Sequence, residues 1–261
     1  MSAINITHTD LDGIISAALV RRGLKRKTEV IFSGPREISK TLSSLVGEAP
    51  RGVEIYITDI GVNDDELDEI VSSLERLRDS GCKVKWLDHH SWSERALKEV
   101  REVVEDLIVR RVSAACEVVA DYFGLRDPET ESLLIICSDA DTASYEMEQT
   151  RYYDCALKVT KHLAERLIDE FSSGRVLIED VLEIGRTCWE EVASRMDNPF
   201  YDGVYAVLLF AVLTHAFIGV RNVLFEFITP RVGRVVTSWT LFIIYVIILL
   251  LGIAEIVASA P

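Results

Sequence analysis

The sequence contains little positive charge for its length. Its 261 residues include 28 Lys and Arg against 42 Asp and Glu, which gives a formal net charge of -14. A field of this sign repels nucleic acid and anionic lipid, so binding of either through overall charge is excluded. A phosphorylated substrate would need a local source of positive charge, and bound divalent cations are one that a surplus of carboxylates can hold.

Cysteine is also scarce, and its spacing excludes two common uses. The chain has five cysteines, an odd number, and no CxxC pair. A disulfide framework and a zinc ribbon are therefore not expected. Most of the five stand beside apolar residues, so we expect reduced, buried thiols in an intracellular protein. The first residues, MSAINITHTDLDG, lack the basic and apolar regions of a secretory signal, and none is expected.

Charged residues become rare after residue 203. Residues 204–261 carry a net charge of +1, which leaves -15 for residues 1–203. We therefore expect three parts: an acidic domain over 1–170, a helical linker over 171–203 that ends in the turn-rich DNPFYDG, and a hydrophobic C-terminal region over 204–261.

The C-terminal region contains two apolar stretches. The second has no charged residue from Val235 to Ala254, which is long enough to cross a hydrocarbon core of about 30 Å as a helix. It predicts a membrane helix over 236–257 that associates the chain with a membrane. Arg231 and Arg234 precede this helix, and cations there favour a cytoplasm-facing domain. Without insertion, the protein would be cytoplasmic.

The first apolar stretch, 204–220, is interpreted differently. If both stretches crossed the membrane, the arginines between them would lie opposite the N-terminal domain, against the usual charge bias. The sequence therefore favours a buried strand over 204–212 or a partly inserted helix over 204–220. A third interpretation stays open, in which residues 204–261 are a truncated or frame-shifted remnant without selected structure.

Strand-like and helix-like segments alternate through the first 170 residues. Apolar runs predict strands at 3–7, 28–33, 53–59 and 82–88, DLIVRR is compatible with a fifth, and segments with helical periodicity lie between them. This order predicts an α/β fold with a parallel sheet and helices on both faces. The hydrophobic segment with its transmembrane helix follows that domain.

Acidic and histidine side chains follow the predicted strands, at the edge where open parallel sheets carry their chemistry. Four groups stand at or near such positions: His8, Asp10 and Asp12 after the first strand, Asp59 at the end of the third, Asp88, His89 and His90 at the end of the fourth, and Asp139 and Asp141 at the end of an apolar helix. One aspartate after a strand is usually a turn or helix-cap residue.

The conjunction of these groups predicts a metal site. Carboxylates crowded at one edge repel one another unless cations lie between them. Mixed imidazole and carboxylate ligands suit Mn²⁺, Fe²⁺ or Zn²⁺, and an excess of carboxylates favours Mn²⁺ or Mg²⁺. Gly13 lets the backbone turn closely away from the site.

Four segments resemble, in order and at suitable spacing, the motifs of the DHH phosphoesterase superfamily: HTDLDG, YITDIG, WLDHH and DADTASYEMEQT. The resemblance covers about residues 1–160 and implies that this part is a DHH-type domain. The last segment is similar to the DTGxFxxxNT stretch of the nano-RNA and 3′-phosphoadenosine 5′-phosphate hydrolase branch. Ala143 stands where that branch usually has Gly.

The resemblance implies a two-metal hydrolase of phosphoester bonds that uses two divalent ions, Mn²⁺ or alternatively Mg²⁺. It implies these roles: His8, Asp10 and Asp59 bind one ion; Asp12, Asp59, His89 and Asp141 bind the second; His90 faces the substrate phosphate; Asp88 orients an imidazole. His90 and Asp88 would thus be the catalytic residues beside the metals, and Asp139 would have a supporting role. Such ions lower the pKa of a water molecule and neutralise the phosphate.

One element of the family is missing from the sequence. Many members carry a glycine-rich stretch similar to GGGHxxAAG that grips the substrate, and the sequence contains none. Four arginines are candidate anion contacts, although such residues are more often solvated: Arg36, Arg110, Arg111 and Arg151. Substrate contacts beyond His90 are therefore not predicted.

The sequence thus predicts a phosphoesterase that hydrolyses short oligonucleotides or small nucleotides with metal-activated water. A RecJ-like single-strand exonuclease is an alternative, although the acidity and the lack of a basic groove oppose it. A non-catalytic nucleotide-binding or scaffold member of the same fold is another. The short spacing between His8 and Asp10 disfavours an inorganic pyrophosphatase.

Overall fold

The computed structural model describes residues 3–160, 162–196, 198–228 and 230–258. The chain divides into two compact units, Met1–Cys188 (unit 1) and Trp189–Pro261 (unit 2). The predicted division into residues 1–170, 171–203 and 204–261 stays a prediction.

Unit 1 is built on one sheet of five parallel strands: β1 (Ala3–Thr7), β2 (Glu29–Phe32), β3 (Glu54–Thr58), β4 (Lys83–Asp88) and β5 (Asp106–Val109). Their order is β2-β1-β3-β4-β5. The chain therefore moves outward from β1 to β2 and then returns to the other side of β1. This reversal opens a crevice at the carboxyl ends of β1 and β3, where such sheets bind ligands.

Nine helices follow or separate the strands in the described part of unit 1 and at its boundary with unit 2: α1 (Leu11–Leu24), α2 (Ile38–Leu45), α3 (Leu67–Asp79), α4 (Glu94–Arg101), α5 (Ala115–Phe123), α6 (Pro128–Asp141), α7 (Glu148–Val159), α8 (Leu163–Ser172) and α9 (Glu179–Met196). A short 3₁₀ turn spans Asp64–Glu66. Several helices begin at side-chain caps that the sequence supplies. Ser93 accepts from the Ala96 amide, and Asp127 accepts from the Thr130 amide.

Helices cover both faces of the sheet, which confirms the predicted α/β class. Alternate residues of one strand enter different cores, as the two-residue period of a strand requires. Ile55 and Ile57 pack against α2, α3 and α4, whereas Tyr56 faces the core formed by α1 and α5 to α8. The two cores hold the strand ends in fixed positions.

The prediction that all five cysteines are reduced is wrong for two of them. Cys155 on α7 and Cys188 on α9 form a disulfide, with 5.9 Å between their Cα atoms. The sequence conceals this pair because 33 residues separate the two cysteines and only the packing of α9 brings them together. Cys82, Cys116 and Cys137 are free and buried, as expected.

Unit 2 contains two long helices, α10 (Pro199–Phe227) and α11 (Arg231–Ala258). They run antiparallel: Thr214 meets Tyr245 at 3.2 Å, and Arg221 meets Ser238 at 3.3 Å. The predicted strand over 204–212 is therefore wrong, and residues 199–203 of the turn-rich DNPFYDG belong to α10. The apolar run has no strand alternation to oppose the helix, and Pro199 is a favourable first helical residue.

Both helices of unit 2 are long and apolar enough to cross a membrane. The candidate spans are Phe200–Phe227, with mean hydropathy 2.1, and Val232–Ala254, with mean hydropathy 2.5. No residue in the most apolar part of either span is buried in the structure. The predicted membrane helix over 236–257 lies in α11, and α10 is a second candidate span.

Candidate metal centre

The first site residues lie in the turn between β1 and α1. The Asp10 carboxylate begins α1 by accepting from the Gly13 amide at 3.0 Å. Its other oxygen lies 2.6 Å from Nδ1 of His8. A Cβ atom on Gly13 would lie 2.3 Å from the His8 carbonyl oxygen, so only glycine permits this close turn. The turn thereby presents His8 and Asp10 together.

Asp12 is buried and rigidly held. Its two carboxylate oxygens accept from the amides of Ala115 and Cys116, at 2.6 and 2.8 Å, at the N-terminus of α5. Cys137 on α6 donates its thiol to the same carboxylate at 3.1 Å. Asp12 thus serves as the missing cap of α5, whose own cap residue Ala114 has no side-chain acceptor.

Asp59 follows β3 with a left-handed backbone, at φ 56°. Aspartate adopts this conformation more readily than most residues. The side chain is buried, and its Oδ2 atom has no hydrogen-bond partner within the described residues. A buried, unpartnered carboxylate oxygen is costly unless a ligand completes it.

The end of β4 places two adjacent histidines in different environments. The His90 ring donates from Nδ1 to Asp88 at 2.8 Å and is partly exposed. His89 points inward, and its Nδ1 lies 3.4 Å from the Val112 carbonyl. The Nε2 atom of His89 is buried and, within the described residues, has no hydrogen-bond partner.

His89 faces three carboxylates across a small gap. Its Nε2 lies 3.6 Å from Asp59, 3.7 Å from Asp141 and 3.8 Å from Asp12. These separations are too long for hydrogen bonds. They leave an imidazole nitrogen and carboxylate oxygens facing one another without direct contact, which suits a cation between them.

Asp139 and Asp141, the two aspartates of DADTASYEMEQT, make different contacts. Asp141, the last residue of α6, faces His89. Asp139 instead accepts from the amides of Glu146 and Met147, at 2.8 and 3.0 Å, and so caps α7. The structure therefore places Asp139 in the loop before α7, and its predicted supporting role stays a prediction.

The loop between α6 and α7 contains Ala143, the residue that stands where the family usually has Gly. Ala143 has a left-handed backbone at φ 54°, a conformation that glycine adopts at lower cost. Tyr145, at φ 48°, is a second left-handed residue in the same loop. The Asp139 caps and the hydrogen bond from Tyr145 to Asp154 hold the loop in this form.

The ligand atoms gather into overlapping sets. In each of three sets, one atom per residue lies within 4.8 Å of the others: His8, Asp10 and Asp59; Asp12, His89 and Asp141; and Asp59, His89 and His90. The structure therefore brings together all seven of these predicted side chains, and Asp88 lies beside them through His90. A fourth set, Asp12 with Cys116 and Cys137, is wholly buried and is explained by the thiol hydrogen bond to Asp12.

The electrostatics of the centre favour a bound cation. Burial raises the pKa of Asp59 well above its usual value, and the neighbouring carboxylates of Asp12 and Asp10 raise it further. Burial likewise raises the pKa of Asp12 and of Asp141. The residues fit divalent ions, because two buried unpartnered atoms and several repelling carboxylates converge on the same space.

Sequence reasoning missed three residues that position the centre. Trp92 donates to Asp88 at 2.6 Å and holds the carboxylate that orients His90. Cys137 orients Asp12, and Gly61 makes room for His90, since a Cβ there would lie 3.2 Å from the His90 Cβ. Gly61 is the last residue of YITDIG and Trp92 stands two residues after WLDHH, whereas nothing in the sequence links Cys137 to Asp12.

A family model and two solved structures are similar to this chain. The family model of the DHH family, N-terminal domain, matches residues 3–159. No curated protein matches the chain. An uncharacterized protein from Helicobacter pylori G27 is similar at TM-score 0.47 and 15% identity, over 74% of this chain and 62% of that one.

A second solved structure is similar to the same degree. It is the pGpG-specific phosphodiesterase PggH from Vibrio cholerae, at TM-score 0.45 and 14% identity, over 71% of this chain and 59% of that one. The chain thus spans about three fifths of the length of both structures. These likenesses are too distant to assign a substrate.

The family model spans more than half of the chain and includes all four motif segments and every side chain of the candidate centre. The resemblance in the sequence is therefore confirmed. The chain belongs to the DHH family.

Proposed function

We propose that the chain hydrolyses phosphoester bonds of short oligonucleotides or small nucleotides with two divalent metal ions. The observation that carries this proposal is the gap enclosed by His89 Nε2 and three carboxylates, in which two buried atoms have no partner in the described structure. A purely structural cluster would pair these atoms with protein groups.

The donor sets divide naturally between two ions. His8, Asp10 and Asp59 would hold one ion, and Asp12, His89 and Asp141 would hold the other, with Asp59 shared. Carboxylates outnumber imidazoles in this set, which favours Mn²⁺, or Mg²⁺ in its place. When bound, such ions activate water as a nucleophile and offset the charge of a substrate phosphate.

The protein's own residues fix the geometry for this reaction. Asp12 cannot rotate, because two amides and a thiol hold it. The left-handed backbone of Asp59 directs its carboxylate between the two sets. Asp88 holds His90 through Nδ1, and the hydrogen bond between them raises the pKa of His90. The second ring nitrogen of His90 is left to meet a substrate oxygen.

We further propose that α10 and α11 anchor the protein in a membrane as a helical hairpin. The ends of a two-span hairpin lie on one side of the membrane, with Ile228 and Pro230 on the other. The arginines near those residues favour a cytoplasmic loop, whereas nucleotide substrates favour a cytoplasmic unit 1. We adopt the second orientation, because the charge bias is a tendency and substrate supply is a requirement.

Protease digestion of sealed vesicles of known orientation tests this placement. In inside-out vesicles, which expose their cytoplasmic surface, unit 1 should be cleaved, and in right-side-out vesicles it should be protected. The opposite pattern would reverse the orientation, and recovery of the protein in an alkaline carbonate wash would refute the anchor.

The activity is tested with the full chain in detergent, supplied with Mn²⁺ or with chelator. The substrates are a di- or trinucleotide RNA, a cyclic dinucleotide, 3′-phosphoadenosine 5′-phosphate, pyrophosphate and a long single-stranded DNA. We expect Mn²⁺-dependent release from one of the short nucleotides. Processive digestion of the long strand would instead identify a single-strand exonuclease. Binding of Mn²⁺ without any hydrolysis would identify a non-catalytic member of the family.

A further inference from the structure

Two arginines converge at the closed end of the hairpin in unit 2. The guanidinium carbon of Arg221 on α10 lies 4.5 Å from the centre of the Phe225 ring, and that of Arg234 on α11 lies 5.4 Å from it. One aromatic ring thus contacts both cations. The two positive charges held against this ring repel each other, and an anion between or beside them would offset that repulsion.

Both guanidinium groups are fixed by the hairpin itself. Arg234 donates to the carbonyl oxygens of Ile228 at 2.6 Å and Phe225 at 3.1 Å, which lie at the C-terminal end of α10. Arg221 donates from Nε to the Ser238 hydroxyl at 3.3 Å. These contacts are made to neutral groups, so they position the positive charge without compensating it.

Neither arginine has a carboxylate partner among the described residues. This distinguishes them from the arginines of the neighbouring helix α9, where Arg186 pairs with Glu183 and Arg195 pairs with Glu191. The two hairpin arginines border a cavity of about 260 Å³, which is also lined by Phe225, Val235, Ser238 and Trp239. The cavity therefore combines positive charge, a hydroxyl and apolar side chains.

The position of this cavity along the hairpin corresponds to a membrane surface. Residues 203–220 of α10 and 235–254 of α11 are uncharged, and these runs of 18 and 20 residues are about 27 to 30 Å long as helices. This is the thickness of a hydrocarbon core. Arg221 and Arg234 are the first charges beyond the two runs, at the level where lipid phosphates lie. Trp239 is 63% exposed about one turn inside, where interfacial aromatic residues occur.

We propose that Arg221 and Arg234 bind the phosphate of an anionic phospholipid at the closed end of the hairpin. Guanidinium groups bind phosphate oxygens through charge-assisted hydrogen bonds, and the apolar wall of the cavity accommodates the first carbons of the acyl chains. The inference rests on the proposed membrane hairpin and is independent of the proposed hydrolysis. The overall negative charge of the chain repels anionic lipid. The site nevertheless can bind one, because residues 204–261 have no excess of acidic residues.

The test measures which lipids the full chain retains. The protein is placed in nanodiscs of phosphatidylcholine and phosphatidylglycerol, extracted gently, and the bound lipids are counted by native mass spectrometry. We expect phosphatidylglycerol to be enriched in the wild type, and R221Q/R234Q to reduce this enrichment about tenfold or more. The matched control R186Q/R195Q removes the same formal charge from ion-paired arginines and should retain the enrichment.

Further arms separate the alternatives. R221K/R234K keeps the charge without the planar fork and should retain part of the enrichment. Carbonate resistance of each variant reports insertion separately, so loss of the anchor is distinguished from loss of lipid selectivity. Unchanged enrichment in R221Q/R234Q, or equal loss in the control, would overturn the proposal. Displacement of the lipid by millimolar glycerol phosphate would also overturn it, because the site would then bind free phosphate.

Discussion

The two edges of the sheet in unit 1 use the same kinds of charged residue in opposite ways. Near the amino ends of the strands, cations and carboxylates are paired: Arg21 with Asp169, Arg22 with Asp127, and Arg26 and Lys85 with Glu54. At the carboxyl ends, the ion pairs of the site carboxylates involve only histidines in the described structure. In the described structure, the carboxylates at the amino edge are thus paired with Arg or Lys, and the site carboxylates at the carboxyl edge are not.

The two edges therefore differ in the partners of their carboxylates and not in residue type, and the proposed function rests on the carboxylates without cationic partners. Paired carboxylates at the amino edge stabilise the fold, and hydrogen bonds lower the pKa values of Glu54 and Asp127. Crowded carboxylates at the carboxyl edge oppose folding until a cation joins them. Replacing a carboxylate by its amide should therefore damage stability at one edge and activity at the other.

The largest expected effect is on turnover in Asp59→Asn. This change removes the carboxylate shared by the two donor sets, and several kcal/mol of transition-state stabilisation depend on the ions it would hold. We expect hydrolysis to fall by roughly 10³-fold or more. The stability of the metal-free protein should stay the same or rise, since a buried repelling charge is lost. Wild-type turnover in this variant would refute the shared-ligand assignment.

Mn²⁺ should stabilise the wild type and not the variant. A ligand at 100 times its dissociation constant stabilises a folded protein by about 2.7 kcal/mol. Thermal unfolding of the full chain with Mn²⁺ and with chelator measures this effect. An equal shift in Asp59→Asn would mean that the ion binds elsewhere on the acidic surface.

Asp88→Asn should have an intermediate effect. Asp88 is fully buried but has all its partners, since it accepts from His90 and Trp92. Loss of a carboxylate that orients an imidazole typically lowers activity about 10- to 100-fold. Mn²⁺ stabilisation should persist in Asp88→Asn, which distinguishes it from Asp59→Asn. Loss of Mn²⁺ binding would place Asp88 among the ligands.

Glu54→Gln tests the amino edge in the same way. Glu54 accepts from Lys85 at 2.8 Å and also pairs with Arg26, and Lys85 is only 11% exposed. Removing the charge should lower stability by about 1 to 2 kcal/mol, the size of a hydrogen bond to a charged group. Turnover should be unchanged. A drop in turnover comparable to that of Asp59→Asn would remove the distinction between the edges.

The smallest expected effect is on how the stability of the Glu54 and Asp59 variants, relative to wild type, changes with pH. The hydrogen bond from Lys85 lowers the pKa of Glu54, so its stabilisation is present above the unfolded pKa and is lost as pH falls. Burial raises the pKa of Asp59, so its contribution is present at low pH and is lost as pH rises through the folded value.

Melting temperatures in chelator at pH 4 and pH 7 check these signs. The deficit of Glu54→Gln relative to wild type should shrink by a few degrees on acidification. Any advantage of Asp59→Asn should shrink at the same time, because the wild-type Asp59 becomes protonated. If acidification enlarges either difference, the corresponding pKa direction is wrong.

Most of the sheet and its functional edge follow from short-range patterns in the sequence. Strand runs, the residues that end them and the rule for parallel sheets place Asp59 and His89 together without knowledge of the packing. Short-range patterns do not predict tertiary contacts. The amides of α5 that hold Asp12, the Cys155–Cys188 pair and the choice of helix for residues 204–212 all depend on which segments meet in space.

The strand order also determines when the centre can exist during folding. β1 is made first, yet one of its two neighbours is β3, and the Asn5 side chain bonds to Thr58 across a separation of 53 residues. The ligands follow β1, β3 and β4 or end α6, so the set of Asp12, His89 and Asp141 is complete only when the chain has been made as far as Asp141 and has closed on itself. Such non-local closure is slow compared with helix formation. An ion in that set would therefore bind a nearly finished fold and stabilise it, and the repulsion among the carboxylates at this edge would oppose the last steps of assembly.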